Sequence, residues 1–283
     1  MSEHGVGAPV LRKEDDRLMR GRGQFVADLR LPRMQDVAFV RSPLAHANIR
    51  SVDIPPAHSG DVFTADDLVG VKPIRAVSGL PGFKISEQPP LAAGKVRHVG
   101  ELVAMCVAAT RADAEDIAAL VRLDFEELPA VHDMLAGRAE GAPLLHESWG
   151  DNIFLETNVE VDIAKALHAP IKVTREINTA RQCMAPMEGR GVVVHWDSRF
   201  EQLVVYTATQ MPHIVRTGLS ECLGLDHGQI RVVSPDVGGG FGYKGILLTE
   251  EVALCWLAMR CGHPVRWIED RREHLTASAN CRE

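Results

Sequence analysis

The chain has 283 residues, 46% of them apolar and 24% charged, and a formal net charge of −7, which is the composition of a soluble globular protein long enough for two domains. The negative charge without basic clusters argues against a nucleic-acid partner, and no apolar run reaches the ~20 residues that span a bilayer. The first residues lack the apolar core of a secretory signal, so we expect a cytoplasmic protein whose six cysteines are reduced thiols without metal-binding spacing.

The N-terminal part of the chain is predicted to be an arm followed by short strands. Residues 1–20 are polar and charged, and we expect them to be extended. From residue 21 onward, glycine and proline separate short β-rich runs, and residues 37–40 are typical of a buried strand. The following turn contains His46, whose side chain we expect to be hydrogen-bonded within the turn rather than bound to a ligand.

A strand, a helix and a second strand are predicted next. Residues 99–109 are the most apolar strand candidate in this half, and residues 113–122 carry apolar side chains at the spacing of an amphipathic helix. Residues 121–125 are again typical of a strand, so the three elements resemble a βαβ-type or split βαβ unit. We expect residues 21–133 to enclose a core of their own.

A linker and a second domain follow. Residues 134–158 are rich in Gly, Pro, Asp and Asn, which predicts a boundary between domains. In the second domain, 159–283, we predict in order a strand, a β-hairpin, a helix interrupted by glycine, a strand, a long helix and a last strand: 171–177, 191–196 with 202–209, 214–223, 230–233, 247–260 and 265–268. The polar residues after the last strand form no closing element, so we expect a domain that is incomplete at its C-terminus.

The glycine-rich stretch before the long helix is the candidate ligand site. Residues 231–245 are RVVSPDVGGGFGYKG, with five glycines. Glycine allows positive φ and lets a ligand approach the backbone amides, and amides that open a helix bind anions. We expect strand, glycine turn and helix to follow one another directly.

Several interpretations of this stretch are open from its residues alone. Gly240–Gly245 fits the G-x-G-x-x-G pattern of nicotinamide-dependent dehydrogenases, with Asp270 further along the chain, but the Phe241 ring would crowd a pyrophosphate. A Walker A loop is excluded, because Lys244 is not followed by Ser or Thr. A tight turn that only packs a strand against a helix is the remaining alternative.

The stretch DVGGGFGYK is similar to the glycine loop of the large, molybdenum-cofactor-binding subunit of the xanthine dehydrogenase, aldehyde oxidase and aerobic carbon monoxide dehydrogenase family. The segments EDDRLMRGRGQFVADLRLPRMQDVAFVRSPLAHANI and VGELVAMCVAATRADAEDIAALVRLDFEELPAVHD resemble the two halves of that family's α/β hammerhead domain. Successive parts of its first cofactor-binding domain resemble RQCMAPMEGRGVVVHWD, TATQMPHIVRTGLSECLGL and GHPVRWIEDRREHLTASA.

This resemblance implies an α+β fold, with an N-terminal a/b hammerhead domain over 21–133 and a partial molybdopterin-binding α/β domain over 159–283. It implies oxidation of an aldehyde, a heterocycle or carbon monoxide with water-derived oxygen. The implied cofactor is molybdopterin in its cytosine dinucleotide form. The implied partners are a C-terminal large-subunit portion, an iron–sulfur subunit and an FAD subunit, without nucleic acid or a membrane span.

The resemblance also assigns site residues. Gln210, in TATQ, matches the family's glutamine whose amide hydrogen-bonds an oxo ligand of molybdenum, and a neutral donor stabilises charge on that oxygen without adding a titrating group. Phe241 matches the loop residue whose backbone approaches the metal. Gly239, Gly240 and Gly242 would let this backbone lie close to the pterin.

Other residues depart from the family or receive no role in it. Gly245 stands where purine-hydroxylating members carry Glu, which disfavours a purine substrate. Glu188 is expected to be a structural carboxylate near Arg181 or Arg190, and Glu250–Glu251 to face solvent. We assign no catalytic base and no metal ligand, because the family's base glutamate lies in a further domain, and we therefore expect this chain to be inactive alone. The alternative is a non-catalytic module that docks subunits.

Overall fold

The computed structural model describes residues 5–159, 161, 163–164, 168–180 and 182–277. The strands are β1 (Gln35–Arg41), β2 (Ala47–Asp53), β3 (Val62–Thr64), β4 (Ile74–Ala76), β5 (Ser86–Gln88), β6 (Lys95–Val96), β7 (Leu102–Ala108), β8 (Arg122–Glu127), β9 (Gly191–Asp197), β10 (Gln202–Thr207), β11 (Ile230–Val233) and β12 (Val265–Ile268). The α-helices used below are α1 (Asp15–Met19), α2 (Arg111–Leu120), α3 (Met134–Gly137), α4 (Pro212–Leu223), α5 (Thr249–Cys261) and α6 (Arg271–Ala277).

A seven-stranded mixed sheet in the order β11-β10-β9-β12-β1-β7-β3 joins the two halves of the chain. The two halves meet at the parallel pair of strands β1 and β12, in which Gln35 lies opposite Val265. Beside it, Arg266 donates to Asp36 at 2.6 Å. Residues 21–133 do enclose apolar clusters of their own, one around Val40 and Ala104 and one around Ala47 and Val103. A further cluster and the large sheet, however, are shared with the second half.

The predicted strand, helix and strand exist, but they do not form a βαβ unit. Strand β7 pairs with β1 and β3 in the large sheet, whereas β8 pairs with β2 in a separate sheet ordered β6-β2-β8. Helix α2 ends at Leu120 and β8 begins at Arg122, so no loop returns the chain to the large sheet. Thr110 caps this helix by accepting a hydrogen bond from the Asp113 N–H.

The second half follows the prediction closely around its hairpin and helices. Strands β9 and β10 form the predicted antiparallel hairpin. Helix α5 lies in the core, with the side chains of Val252, Leu254 and Leu257 completely buried. Helix α4 is not interrupted by Gly218, because that glycine makes room for Leu247: a Cβ at Gly218 would lie 2.5 Å from Leu247 Cδ2.

Three local expectations are wrong. The predicted strand over 171–177 is exposed chain without strand structure, since its alternating apolar side chains find no sheet to pack on. Part of the N-terminal arm is helix α1, which is fastened by an ion pair between Arg17 and Asp236. The last strand is followed by helix α6 rather than by a tail without structure.

Part of the predicted linker packs on the first half. Helix α3 belongs to the predicted linker, which is bound to the preceding residues through a salt bridge of 2.6 Å between Lys84 and Asp151. His46 is hydrogen-bonded, but not within its own turn: it is buried, and its Nδ1 lies 2.8 Å from the carbonyl oxygen of the distant Pro129. No helix in the described part of the chain is long and apolar enough to cross a membrane.

Candidate functional site

The glycine loop, residues 238–245, lies between β11 and α5 and has an unusual backbone. Gly239 and Gly242 have φ of 97° and 82°, and Phe241 also has positive φ, at 52°. A bulky residue rarely adopts this conformation. Two tight turns hold it there, through the Tyr243 N–H bonded to Gly240 O at 2.9 Å and the Gly245 N–H bonded to Gly242 O at 3.1 Å. The Phe241 side chain is 70% exposed.

Gln210 lies directly against this loop. It follows β10 and precedes α4, and its backbone N–H donates to Lys244 O at 2.9 Å. Its side-chain Oε1 accepts from the Gly242 N–H at 3.0 Å. A Cβ at Gly240 would lie 2.4 Å from Gln210 Cδ, so only glycine leaves space for the carboxamide. The structure thus brings together the residues that sequence analysis selected 30 positions apart.

This arrangement leaves hydrogen-bond donors available at an exposed surface. Because the Gly242 N–H can bond only to an acceptor, it identifies the bonded atom of Gln210 as oxygen, and the NH₂ group is the free end. Among the described residues, this NH₂ group and the backbone N–H groups of Gly239, Gly240 and Phe241 have no hydrogen-bond partner. Such donors suit a ligand that presents oxygen atoms, and the missing side chain at Gly240 lets it approach.

A buried ion pair fastens the loop from its inner side. Lys244 Nζ, which has no exposed side-chain surface, lies 2.8 Å from Glu188 Oε2, and this oxygen also accepts from the Gly238 N–H at 2.7 Å. Burial lowers the pKa of Lys244, against the raising effect of Glu188. Glu188 is therefore a structural carboxylate as predicted, but its charged partner is Lys244 rather than Arg190. Arg181 is outside the described residues.

A second buried network lies beside this pair. Arg190 makes salt bridges of 2.7 Å to Glu269 and 3.0 Å to Glu250, and the Tyr243 hydroxyl donates to Glu269 at 2.7 Å. Arg41, from β1, reaches Glu250 at 3.1 Å. Burial would raise the pKa of Glu250 and Glu269, but the neighbouring arginines hold both below their usual values. The network joins the glycine loop to both halves of the chain.

The expectation that Glu250–Glu251 face solvent is wrong. Glu250 is 2% exposed and Glu251 4% exposed, because both turn inward at the start of α5. Glu251 accepts from the Thr207 hydroxyl at 2.5 Å and from the Leu248 N–H at 2.9 Å. Burial without a salt bridge raises the pKa of Glu251 to about 7. No local pattern indicates this, since Arg41, Arg190 and Thr207, the partners of the two carboxylates, lie far from them in the chain.

The geometry does not fit the G-x-G-x-x-G turn by which nicotinamide-dependent dehydrogenases bind their dinucleotide. Helix α5 begins at Thr249, after the glycines, and the Glu251 side chain occupies the N–H of its capping residue Leu248. The glycine loop therefore does not present a helix N-terminus, which is what a pyrophosphate requires in that motif. The described residues also contain no group of three or more His, Cys, Asp or Glu side chains arranged to hold a metal ion.

Two family models match most of the chain. Residues 20–129 match the aldehyde oxidase and xanthine dehydrogenase a/b hammerhead domain, and residues 145–283 match the molybdopterin cofactor-binding domain. The predicted fold class, a hammerhead domain followed by a partial molybdopterin-binding domain, is confirmed. The matched residues include Gln210 and the glycine loop.

Individual relatives are similar over nearly the whole chain. The nicotine 6-hydroxylase large subunit of Paenarthrobacter nicotinovorans is 36% identical over 98% of this chain, and the carbon monoxide dehydrogenase large chain of Hydrogenophaga pseudoflava is 31% identical over 99%. The crystal structure of quinoline 2-oxidoreductase from Pseudomonas putida 86 matches 97% of the chain with a TM-score of 0.91 and 39% identity. The chain spans only 35% to 37% of the length of these three proteins.

Proposed function

Since this chain belongs to the family of molybdopterin-binding large subunits that includes xanthine dehydrogenases and carbon monoxide dehydrogenases, we propose that it binds a molybdenum cofactor at Gln210 and the glycine loop. We propose further that it serves the oxidation of a small aldehyde, a heterocycle or carbon monoxide. The observation that carries this proposal is the contact between the Gln210 carboxamide and the backbone of Gly240 and Gly242.

The residues present fit such a group. The cofactor, when bound, supplies a centre for two-electron oxidation with water-derived oxygen. Gln210 would donate its free NH₂ group to an oxygen of the cofactor, and because an amide does not titrate, this contact would not change with pH. The backbone N–H groups of Gly239, Gly240 and Phe241 would bind further oxygen atoms, and Gly242 holds the Gln210 side chain in place.

The substrate class is narrowed by one residue and by the names of relatives. Gly245 provides no carboxylate where purine-hydroxylating members carry Glu, so we propose a substrate other than a purine. Relatives named for nicotine, quinoline and carbon monoxide support the heterocycle and carbon monoxide classes.

We propose that catalysis requires further polypeptide. Glu188, the carboxylate against the loop, is already bound to Lys244 and Gly238 and is a poor candidate for a general base. A C-terminal large-subunit portion would supply the base, and separate iron–sulfur and FAD subunits would carry the electrons away in the cytoplasm. We propose the cytosine dinucleotide form of molybdopterin.

The experiment is to produce the chain together with these partners in a host that makes the molybdenum cofactor. We expect about one molybdenum per complex and release of CMP after acid hydrolysis. Gln210→Ala should lower the molybdenum content, whereas Gln202→Ala, at the other end of strand β10, should not. A complex that assembles but stays free of molybdenum would contradict the proposal and support the subunit-docking alternative.

A further inference from the structure

The thiol of Cys183, the imidazole of His274 and the carboxylate of Glu269 contact one another in a row beside the glycine loop. Cys183 Sγ is 3.4 Å from His274 Nε2, and His274 Nδ1 is 3.4 Å from Glu269 Oε2. The Cys183 residue is exposed, whereas His274 and Glu269 are buried at 0% and 5% exposure. One end of the array is therefore open to a reagent, and the other end is fixed in the protein.

The orientation of the imidazole follows from its neighbours. Glu269 is held by Arg190 and by the Tyr243 hydroxyl, and these contacts keep it ionised, because they lower its pKa against the effect of burial. An ionised carboxylate can only accept, so His274 donates from Nδ1 and directs the lone pair of Nε2 toward the thiol. The Tyr243 ring, at 4.8 Å between centroids, packs edge-on against the imidazole and fixes its plane.

We propose that Cys183 is a nucleophilic thiol, with His274 as its base and Glu269 as the group that orients this base, and that it is a site of modification by peroxides and other soft electrophiles. In the reaction with hydrogen peroxide, the thiol proton passes to His274 Nε2 and the sulfur attacks one peroxide oxygen. The O–O bond breaks, the leaving hydroxide takes up the proton as water, and Cys183 becomes a sulfenic acid. The sulfur loses two electrons and the peroxide gains them, so no further reactant is needed.

The other described cysteines should react slowly. Burial raises the pKa of Cys106 to about 12 and that of Cys222 to about 11, and it raises the pKa of Cys255 as well. Cys261 is half-buried, and burial raises its pKa too. Among the described cysteines, only Cys183 combines exposure with a contact to an imidazole.

Several charged groups surround the array. Facing His274 are Glu269 from the end of β12, Arg190 from the segment before β9, and Tyr243 from the glycine loop. On its own helix, Glu273 is paired with Arg41, and Arg271 donates to backbone carbonyls. Glu269 is the carboxylate nearest the imidazole, and its position suits His274 to the role of base toward the thiol.

The test is alkylation by iodoacetamide of the complete chain, with the modified peptide quantified by mass spectrometry. The sixth cysteine, Cys281, is outside the described residues and is replaced in all variants by Cys281→Ser. At pH 7, we expect Cys183 to be alkylated about tenfold faster, or more, than a free small-molecule thiol in the same solution, because His274 lies ready to take the thiol proton. His274→Asn should lose this advantage, and the exposed His213→Asn should keep it.

A Cys183 rate equal to that of the free thiol would overturn the proposal, and so would equal rates in His274→Asn and the parent chain. If His274→Asn does not fold, the comparison of the parent chain with the free thiol decides alone. Hydrogen peroxide followed by dimedone should label Cys183 first, and preferential labelling of another cysteine would count against the proposal. The assay needs no molybdenum, so it is independent of the proposed function.

Discussion

At the scale of single residues, the contact between Gly240 and Gln210 leaves no space for a side chain. The amide of Gly242 fixes one end of the Gln210 carboxamide, and the loop backbone supports its carbon atoms. The buried residues Glu250 and Glu251 are a second example, because they are neighbours in sequence but differ in their contacts. Only Glu250 forms salt bridges with arginines.

Gly240→Ala should displace the Gln210 carboxamide. Its Cβ would lie 2.4 Å to 2.7 Å from three Gln210 side-chain atoms, so the hydrogen bond to the Gly242 N–H should break. We expect faster hydrogen exchange at Gly242 by about tenfold, the equivalent of ~1.4 kcal/mol for one hydrogen bond. Gly228→Ala, which has open space around its Cβ, is the matched control. Unchanged exchange in Gly240→Ala would show that the carboxamide does not depend on this contact.

Glu251→Gln should alter how stability depends on pH. The folded pKa of about 7 lies above the ordinary value of 4.5, so between these pH values the native state binds more protons than the unfolded state. Stability therefore falls as pH rises through this window, by about 3 kcal/mol in total. Glutamine is neutral in both states and should remove this loss, making the variant more stable at pH 8 but not at pH 4.5.

Urea unfolding of the parent chain and Glu251→Gln at pH 4.5 and pH 8 measures this change in stability. Glu250→Gln is the neighbouring control, and it should be destabilising at pH 8 because it removes one of the two carboxylates that Arg190 and Arg41 each contact. Parallel stability curves for Glu251→Gln and the parent chain would contradict the assignment of a raised pKa to Glu251.

At the scale of elements, the glycine loop is fastened to strands and helices by its two inward-pointing residues. Tyr243 binds Glu269 at the end of β12, and Lys244 binds Glu188 in the segment before β9. The backbone carbonyl of Lys244 also accepts from Gln210. The loop conformation, including the positive φ of Phe241, is therefore maintained by contacts on its buried side, while the outer side stays accessible.

Lys244→Met should destabilise the chain by about 3 kcal/mol, because it leaves the half-buried Glu188 carboxylate without its cation. Adding Glu188→Gln removes this charge, so the double variant should regain part of the loss. Urea unfolding of the two single variants and the double variant gives the coupling free energy. Arg12→Met, which breaks an exposed pair with Asp15, should change stability by less than about 1 kcal/mol. Additive effects of the two buried substitutions would contradict a direct pair.

At the scale of the whole molecule, one sheet is built from both halves of the chain. The family models divide the chain between residues 129 and 145, but the hydrogen bonds between β1 and β12 cross this division. Arg41 and Asp36 on β1 add ion pairs to Glu250 and Arg266. Folding of the first half should therefore depend on the second.

Calorimetry of the complete chain should show a single cooperative transition, and residues 21–133 produced alone should show none. The reason is that the separated piece exposes the β1 edge and the apolar side chains that pack against the second half. As a control, the separated piece mixed with residues 134–283 should regain a transition. Two independent transitions in the complete chain would contradict the shared core.

The sequence by itself determined the elements whose signals are local. Alternation and helical spacing identified the β9–β10 hairpin, α4 and α5. The glycine stretch identified the candidate loop, and Gln210 was selected through the resemblance to a known family. Only the tertiary structure decided which strands share a sheet and where buried charges find partners. Arg41 and Glu250 lie 209 positions apart, and no local pattern reports such a pair. The inward position of Glu250–Glu251 and the array at Cys183 depend on contacts between distant segments, because desolvation and charge pairing are properties of the packed chain.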